Sequence, residues 1–256
     1  MILRGRPRVV AQTALRPFTA RRRLTGTPYT VTFPAWQNLM LLKPHGMRYE
    51  PAVAEQFKRY VPRGGVVVDV GANLGILTML AAMLVGKEGH VHSFEPDPQS
   101  MRNLLRNIHS NGLTWVTPWS VGLTDTPGIR DLYLDLYTTS TSSLLQNAWT
   151  ADKAARQQLK IVTTTLDDVF AGQDVDFIKI DVEGAEMSVL AGARQILARQ
   201  RPTIVVEVLR EHIDEFIIFM REIQYQAKAL TGDSASGGVE EISTNFLATP
   251  SGGQST

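Results

Sequence analysis

The 256-residue sequence predicts an α/β protein with a doubly wound, mostly parallel sheet. Two stretches predict it. Val66-Val67-Val68-Asp69-Val70-Gly71-Ala72-Asn73-Leu74-Gly75 passes from a β-branched apolar run through a glycine turn into an apolar helical stretch over 76–85. That is the order of a strand buried on both faces, a tight turn and a crossover helix. Val175-Asp176-Phe177-Ile178-Lys179-Ile180-Asp181-Val182-Glu183-Gly184-Ala185-Glu186 is a second buried strand, ending in carboxylates.

The other elements follow in order. Residues 50–60 read as a helix, with Pro51 at its first position and Val53, Phe57 and Tyr60 at helical spacing. Such a helix lies over the ligand site or packs on the sheet edge. Residues 90–95 form the next strand, and 98–110 a helix with Met101, Leu104, Leu105 and Ile108 on one face, stopped by Asn111-Gly112. Residues 115–121 read as a strand that Pro118 confines to an edge or a bulge. After the turn 125–128, residues 131–136 alternate like a half-buried strand. The hydroxyl run 138–143 reads as a solvated loop in preference to a donor set for a ligand, and 151–159 as a polar lid or exposed helix. Residues 163–168 join a strand end to a helix cap. A helix over 210–222 carries Ile213, Phe216, Ile217 and Met220 as its stripe, and 226–231 and 242–248 are closing strands.

Three regions are expected: a basic extension over 1–49, with strand-forming residues at 29–42, a ligand-binding domain over 50–248, and a disordered tail over 249–256. The net charge of +1 hides an asymmetry, because nine lysines and arginines and no acid precede Glu50. This leader reads as a solvated extension in preference to a transit peptide or polyanion-binding arm. No apolar run is long enough to span a membrane. The absence of cysteine excludes disulfides, thiolate catalysis and Cys-ligated zinc, and favours a reducing compartment; a cytoplasmic location is expected.

The glycine turn is spaced as Gly71-x-x-x-Gly75 with Asn73 between, unlike the G-x-G-x-x-G of dinucleotide sites. Glycine lets a ligand approach the backbone, and the following helix N-terminus offers free N–H groups. Asp69, inside the strand, would repel a pyrophosphate but suits a cationic amine or sulfonium. Glu95, where the next strand ends, can take both hydroxyls of a ribose. The pairing fits S-adenosylmethionine better than NAD. Phe177, Lys179 and Asp181 share one strand face, so Lys179 reaches a carboxylate near the end where ligands bind. That pair is either a structural ion pair or part of the crevice, where Asp181 and Glu183 are expected. His212, near the end of strand 204–208, is a candidate general base or an exposed capping histidine.

The segments 68–75, Phe94-Glu95-Pro96-Asp97-Pro98 and 178–186, in this order and followed by Val189-Leu190-Ala191-Gly192 and strand 204–208, resemble the FkbM-type family of S-adenosylmethionine-dependent methyltransferases. The resemblance covers roughly residues 64–225, and its most specific part is Asp181-Val182-Glu183-Gly184-Ala185-Glu186. It implies a class I methyltransferase fold, Rossmann-like, with an antiparallel strand near the C-terminus. It implies a small-molecule acceptor, a sugar or natural product, methylated on oxygen, and no nucleic-acid partner. By it, Asp69, Gly71, Asn73 and Gly75 line the methionine part of the cofactor, Glu95 holds its ribose, and Asp181 and Glu183 sit nearest the acceptor. The chain departs from the family at Ile76, where an aromatic is common, and at Gln224-Tyr225, where Gly-Tyr is common.

The expected chemistry is direct displacement at an activated methyl group, with Asp181, Glu183 and His212 as candidate proton acceptors. The same carboxylates are also candidate ligands for a divalent cation that lowers the acceptor's pKa; base or proximity catalysis is preferred, and no metal ligand is assigned. The competing readings are an NAD-dependent oxidoreductase and a non-catalytic protein that docks through its basic leader.

Overall fold

The computed structural model describes residues 19–34, 49–135, 143–144, 156–230 and 243–252. The sequence elements appear as β1 Thr19–Arg23, β2 Thr30–Pro34, α1 Pro51–Tyr60, β3 Val66–Val70, α2 Ile76–Val85, β4 His90–Phe94, α3 Pro98–Ser110 and β5 Val116–Trp119. There follow β6 Gly122–Leu123, β7 Gly128–Asp135, β8 Arg156–Thr164, α4 Leu166–Val169, β9 Phe177–Ile180, α5 Glu186–Ala191 and α6 Arg194–Arg199. The last are β10 Thr203–Leu209, α7 Ile213–Glu222, β11 Tyr225–Ala229 and β12 Ser243–Pro250.

Seven strands form the central sheet in the order β11-β12-β10-β9-β3-β4-β5. The pairs β10–β9, β9–β3, β3–β4 and β4–β5 are parallel, while β12 runs antiparallel to both β10 and β11. The chain moves from β3 outward through β4 to β5, then returns to β9 on the other side of β3. The crevice at the carboxyl ends of β3 and β9 is therefore the topological switch point, where open α/β sheets bind ligands. Pro118 sits in β5, the sheet's edge strand, where a missing N–H interrupts no further ladder.

Period-two alternation divides the core. Val68, Val70, Ile178 and Ile180 pack with Leu197, Phe216 and Met220 on one face, and Val67 and Phe177 pack with Phe57 and Met79 on the other. Asp69 lies opposite Lys179 in register, on the same strand faces as Val67 and Phe177. An acid and a lysine thus enter the layer beneath α1 and α2. Helix α2 is apolar nearly all round, as a helix enclosed on several sides must be.

Helix α3 begins on Asp97, whose carboxylate accepts the N–H of Gln99 at 2.7 Å, with Pro98 in the first turn. On its other side two asparagines one turn apart replace a strand. Asn107 accepts Thr32 N at 2.7 Å and donates to Thr32 O at 3.1 Å; Asn111 accepts Thr30 N at 2.9 Å and donates to Thr30 O at 2.8 Å. The spacing i, i+4 on a helix matches i, i+2 on a strand closely enough for both amides to pair. Asn107 also donates to Leu74 O at 2.8 Å, tying the β1–β2 hairpin to the glycine turn.

Three expectations change. The segment read as a lid or helix over 151–159 enters strand β8 from Arg156, paired with β7 from Gly128↔Thr163 to Asp135↔Arg156; residues 151–155 lie outside the described residues. Its polar composition reflects a strand with one solvated face, on which Lys160 and Val162 are exposed while Ile161 and Thr163 are buried. The helix over 210–222 starts as a 3-10 turn at Arg210–His212, and its buried stripe is Phe216, Phe219 and Met220, with Ile213 and Ile217 only partly buried. Closing strand β12 runs on through Thr249 and Pro250. Residues 1–18 and 35–48 of the basic extension and 253–256 of the tail lie outside the described residues. Among the described residues no helix is long and apolar enough to cross a membrane.

Candidate active site

The ends of β3, β4 and β9 open into one cleft. Gly71, Asn73, Glu95, Pro96, Asp181 and Glu183 line it, with Leu123, Leu132 and Leu144 closing it from the side of the small β6-β8-β7 sheet. The cleft encloses about 70 Å³ and opens to solvent at its mouth.

Glu95 is buried, and each carboxylate oxygen accepts one backbone N–H: Oε1 from Asp97 and Oε2 from Asn73, both at 2.8 Å. Each oxygen keeps a lone pair for a further donor. Burial pushes Glu95 up to about 8, against the pull of the two amides and of Lys179. Asn73 has φ 51, and its buried Oδ1 has no partner. An orphaned acceptor beside a carboxylate with spare lone pairs fits a ligand that brings N–H and O–H donors, as the ammonium and ribose of S-adenosylmethionine do.

The two glycines have different reasons to be glycine. A Cβ on Gly71, at φ +76, would lie 1.8 Å from the Asp181 carbonyl oxygen, and one on Gly75 would lie 2.5 Å from Leu104 Cδ1. The crowding atoms belong to the protein itself: Gly71 allows β3 and β9 to close at their ends, and Gly75 allows α2 to meet α3. Gly71 lines the cleft and Gly75 does not.

Asp69 is fully enclosed and does not line the cleft. It accepts Thr78 Oγ1 at 2.5 Å and faces Lys179 at 3.6 Å. Lys179 Nζ also lies 3.3 Å from Asp181 Oδ2 and donates to Gly71 O at 3.1 Å. Burial by itself lowers the pKa of Lys179, but Asp181, Asp69 and Glu50 outweigh it and the net shift is upward. The ammonium is thus a fixed internal countercharge that joins the glycine turn to the end of β9.

Glu183 takes φ 50, a left-handed conformation that a side-chain-bearing residue adopts at some cost, and its carbonyl accepts Ser143 Oγ at 2.6 Å. Burial, then Asp181 and Glu186, push Glu183 up to about 8. The hydroxyl run read as a solvated loop therefore contributes one anchor, Ser143; residues 138–142 lie outside the described residues.

His212 stands apart from the cleft lining. Its Nδ1 lies 2.8 Å from Oε1 of the buried Glu186, an oxygen that also accepts Leu209 N at 2.9 Å.

Three further residues converge on Asp181 without having been singled out from the sequence. Glu207, near the end of β10, accepts a hydrogen bond from Ser243 and is pushed up to about 9, first by Asp181 and then by burial. Tyr49 and Glu50 precede α1, and the charges of Glu50, Asp181 and Glu207 together with burial raise the Tyr49 phenol well above its usual value. The available signal was weak: an acid two residues from the end of a buried strand, and a Tyr-Glu pair before a proline-initiated helix.

A seven-stranded sheet of this order, with an antiparallel β12 and a cleft carrying a glycine turn and a strand-end glutamate, defines a class I methyltransferase domain. The model of the methyltransferase FkbM domain matches residues 69–227, and the chain belongs to that family of S-adenosylmethionine-dependent methyltransferases. A relative named Methyltransferase 1 from Beauveria bassiana (strain ARSEF 2860) is 27% identical over 148 residues, covering 51% of this chain and 59% of its own. Among solved structures, a putative rRNA-methylase from Clostridium thermocellum matches with TM-score 0.52 at 14% identity, over 81% of this chain and 100% of its own. The FkbM methyltransferase from Methylobacillus flagellatus KT matches with TM-score 0.49 at 18% identity, over 76% of this chain and 50% of its own. The chain thus spans between half and three-fifths of the length of these two methyltransferase relatives, from Beauveria bassiana and Methylobacillus flagellatus.

Proposed function

We propose that this protein transfers the methyl group of S-adenosylmethionine to a hydroxyl oxygen of a small-molecule acceptor, a sugar or related natural product. The observation that carries the reading is the convergence of Asn73 and Glu95 with Asp181 and Glu183 on one cleft at the switch point of the sheet. When bound, the cofactor supplies a methyl group already activated on a sulfonium.

Glu95 would hold the ribose hydroxyls on its free lone pairs, and Asn73 Oδ1 would accept from the ammonium. Gly71 carries the turn between them. Asp69 acts from beneath the turn: by pairing with Lys179 it sets the position of the Gly71 carbonyl rather than touching the ligand. Gly75 seats the following helix. Asp181 and Glu183 are the proton acceptors for the attacking hydroxyl. Ionised beside the sulfonium, Glu183 would regain a proton readily once that charge is discharged, because burial already favours its neutral form. His212 braces Glu186 and has no part in this step.

The test is calorimetric titration with S-adenosylmethionine, S-adenosylhomocysteine and NAD, repeated on Glu95→Ala, followed by a panel of hydroxylated acceptors. Binding of both adenosyl ligands, weakened about tenfold or more in the variant and absent for NAD, is expected, with an O-methyl ether as product. Failure of the adenosyl ligands to bind a folded protein, or a product methylated on nitrogen or carbon, would refute the reading.

A further inference from the structure

A second cavity, of about 190 Å³, opens where the hairpin turn meets α1 and α2. Leu24 of the turn, Ala54 of α1 and Leu80 of α2 supply walls. Tyr49, Ile76 and Leu77 wall this cavity and also a smaller one of about 50 Å³, which reaches Gly71, Asn73 and Lys179. Gly71 and Asn73 in turn line the methyl-transfer cleft. Three neighbouring spaces with shared walls thus lie between the hairpin and the reacting end of the sheet.

The deeper wall of the first space is apolar, while Thr25, Thr27 and Tyr49 add polar groups, of which the Thr27 hydroxyl is already taken up by Leu24 O and Tyr29 N. Leu24, Ile76, Leu77 and Leu80 are buried side chains of the core that present their remaining surface to it. The charged residues on its lining, Glu55 and Lys58, face each other at 2.6 Å and stand largely in solvent. Against the leucine and isoleucine wall a charged group would lose its hydration without a partner, whereas an apolar one would not. An apolar cavity of about 150 Å³ accommodates benzene, so this one is large enough for an aromatic ring or a short branched chain.

We infer that the hairpin cavity is an acceptor subsite that seats an uncharged apolar substituent of about ring size. The inference rests on the methyl-transfer reading above. It narrows the acceptor class to hydroxyl compounds that carry an aryl or short alkyl group, and it gives the β1–β2 hairpin a function in recognition. Tyr49 walls both the hairpin cavity and the small space beside it and, hydrogen-bonded to Glu50, separates the apolar group from the carboxylates.

The test uses the full chain and fluorobenzene as probe, followed by fluorine NMR with and without saturating S-adenosylhomocysteine. Saturable binding is expected, retained in the presence of the adenosyl ligand and weakened at least about tenfold in Ala54→Trp, which fills the cavity from α1. Thr25→Trp, on the exposed turn, is the second variant, expected to weaken the probe similarly; both should bind S-adenosylhomocysteine within about twofold of the parent. Displacement of fluorobenzene by S-adenosylhomocysteine, absence of saturable binding, or equal binding by both variants and the parent overturns the inference. If fluorobenzene behaves as expected while S-adenosylhomocysteine does not bind the parent chain, the methyl-transfer reading fails, and the subsite loses its acceptor role with it.

Discussion

Replacing Gly71 by alanine tests whether the close approach of β3 and β9 organises the cleft. The added Cβ would sit 1.8 Å from the Asp181 carbonyl oxygen, whereas real contacts of this kind do not fall below 3.0 Å, so the carbonyl must retreat by at least about 1.2 Å. Retreat strains the adjoining Asp181 N–H to Val70 O hydrogen bond of 3.1 Å and the Lys179 bridge. A left-handed alanine costs about 1 kcal/mol, and overpacking a rigid region about 1–3 kcal/mol more. Gly112→Ala is the matched control: it also has positive φ, +65, but no atom lies within 4 Å of its Cβ. Urea denaturation should show Gly71→Ala less stable than the parent by about 2–4 kcal/mol and Gly112→Ala by about 1 kcal/mol. Affinity for S-adenosylhomocysteine should fall about tenfold or more in the first and hold in the second, since Asp181 lines the cleft. Equal destabilisation of the two variants, or unchanged affinity in Gly71→Ala, would refute the argument.

Two other consequences are measurable. Asn107→Ala removes the pairing with Thr32 and the bond to Leu74 O, leaving buried backbone groups without partners, and should destabilise by about 2–4 kcal/mol; Asn111→Ala, partly exposed, should cost less, and equal losses would count against the strand-like pairing. Glu95, Glu183 and Glu207 are raised to about 8, 8 and 9, so the folded protein binds more protons than the unfolded chain above the usual carboxylate range. Their contribution is greatest at acid pH and is lost as pH rises through these values, at about 1.4 kcal/mol for each tenfold gain in proton affinity of a group titrating alone. The urea midpoint of the ligand-free protein should therefore fall between the usual carboxylate range, about pH 4.5, and about pH 9, less steeply in Glu207→Gln; a flat or rising midpoint would contradict it.

The site was only partly legible in advance. Asp181, Glu183, Asn73 and Glu95 announce themselves because an acid or amide at the end of a buried apolar run has few structural reasons to be there. Asp69, within such a run, and His212, just past another, also stand out, yet one lies beneath the turn against Lys179 and the other against Glu186. Strand parity tells which face a residue takes but not whether a helix or a ligand covers that face. Segment 151–159 misleads for a related reason: a strand that is solvated on one face can be as polar as an exposed helix.

By itself, the sequence determined where the parallel strands and their crossover helices lie along the chain and which two stretches carry chemistry, because periodicity, glycine turns and proline caps act over a few residues. Only the tertiary structure decided what crowds Gly71, that Asn107 and Asn111 stand in for a strand, and that Tyr49, Glu50 and Glu207 gather around Asp181. Those are contacts between segments tens to more than a hundred residues apart. They arise when the sheet assembles around β3, and no local pattern records them.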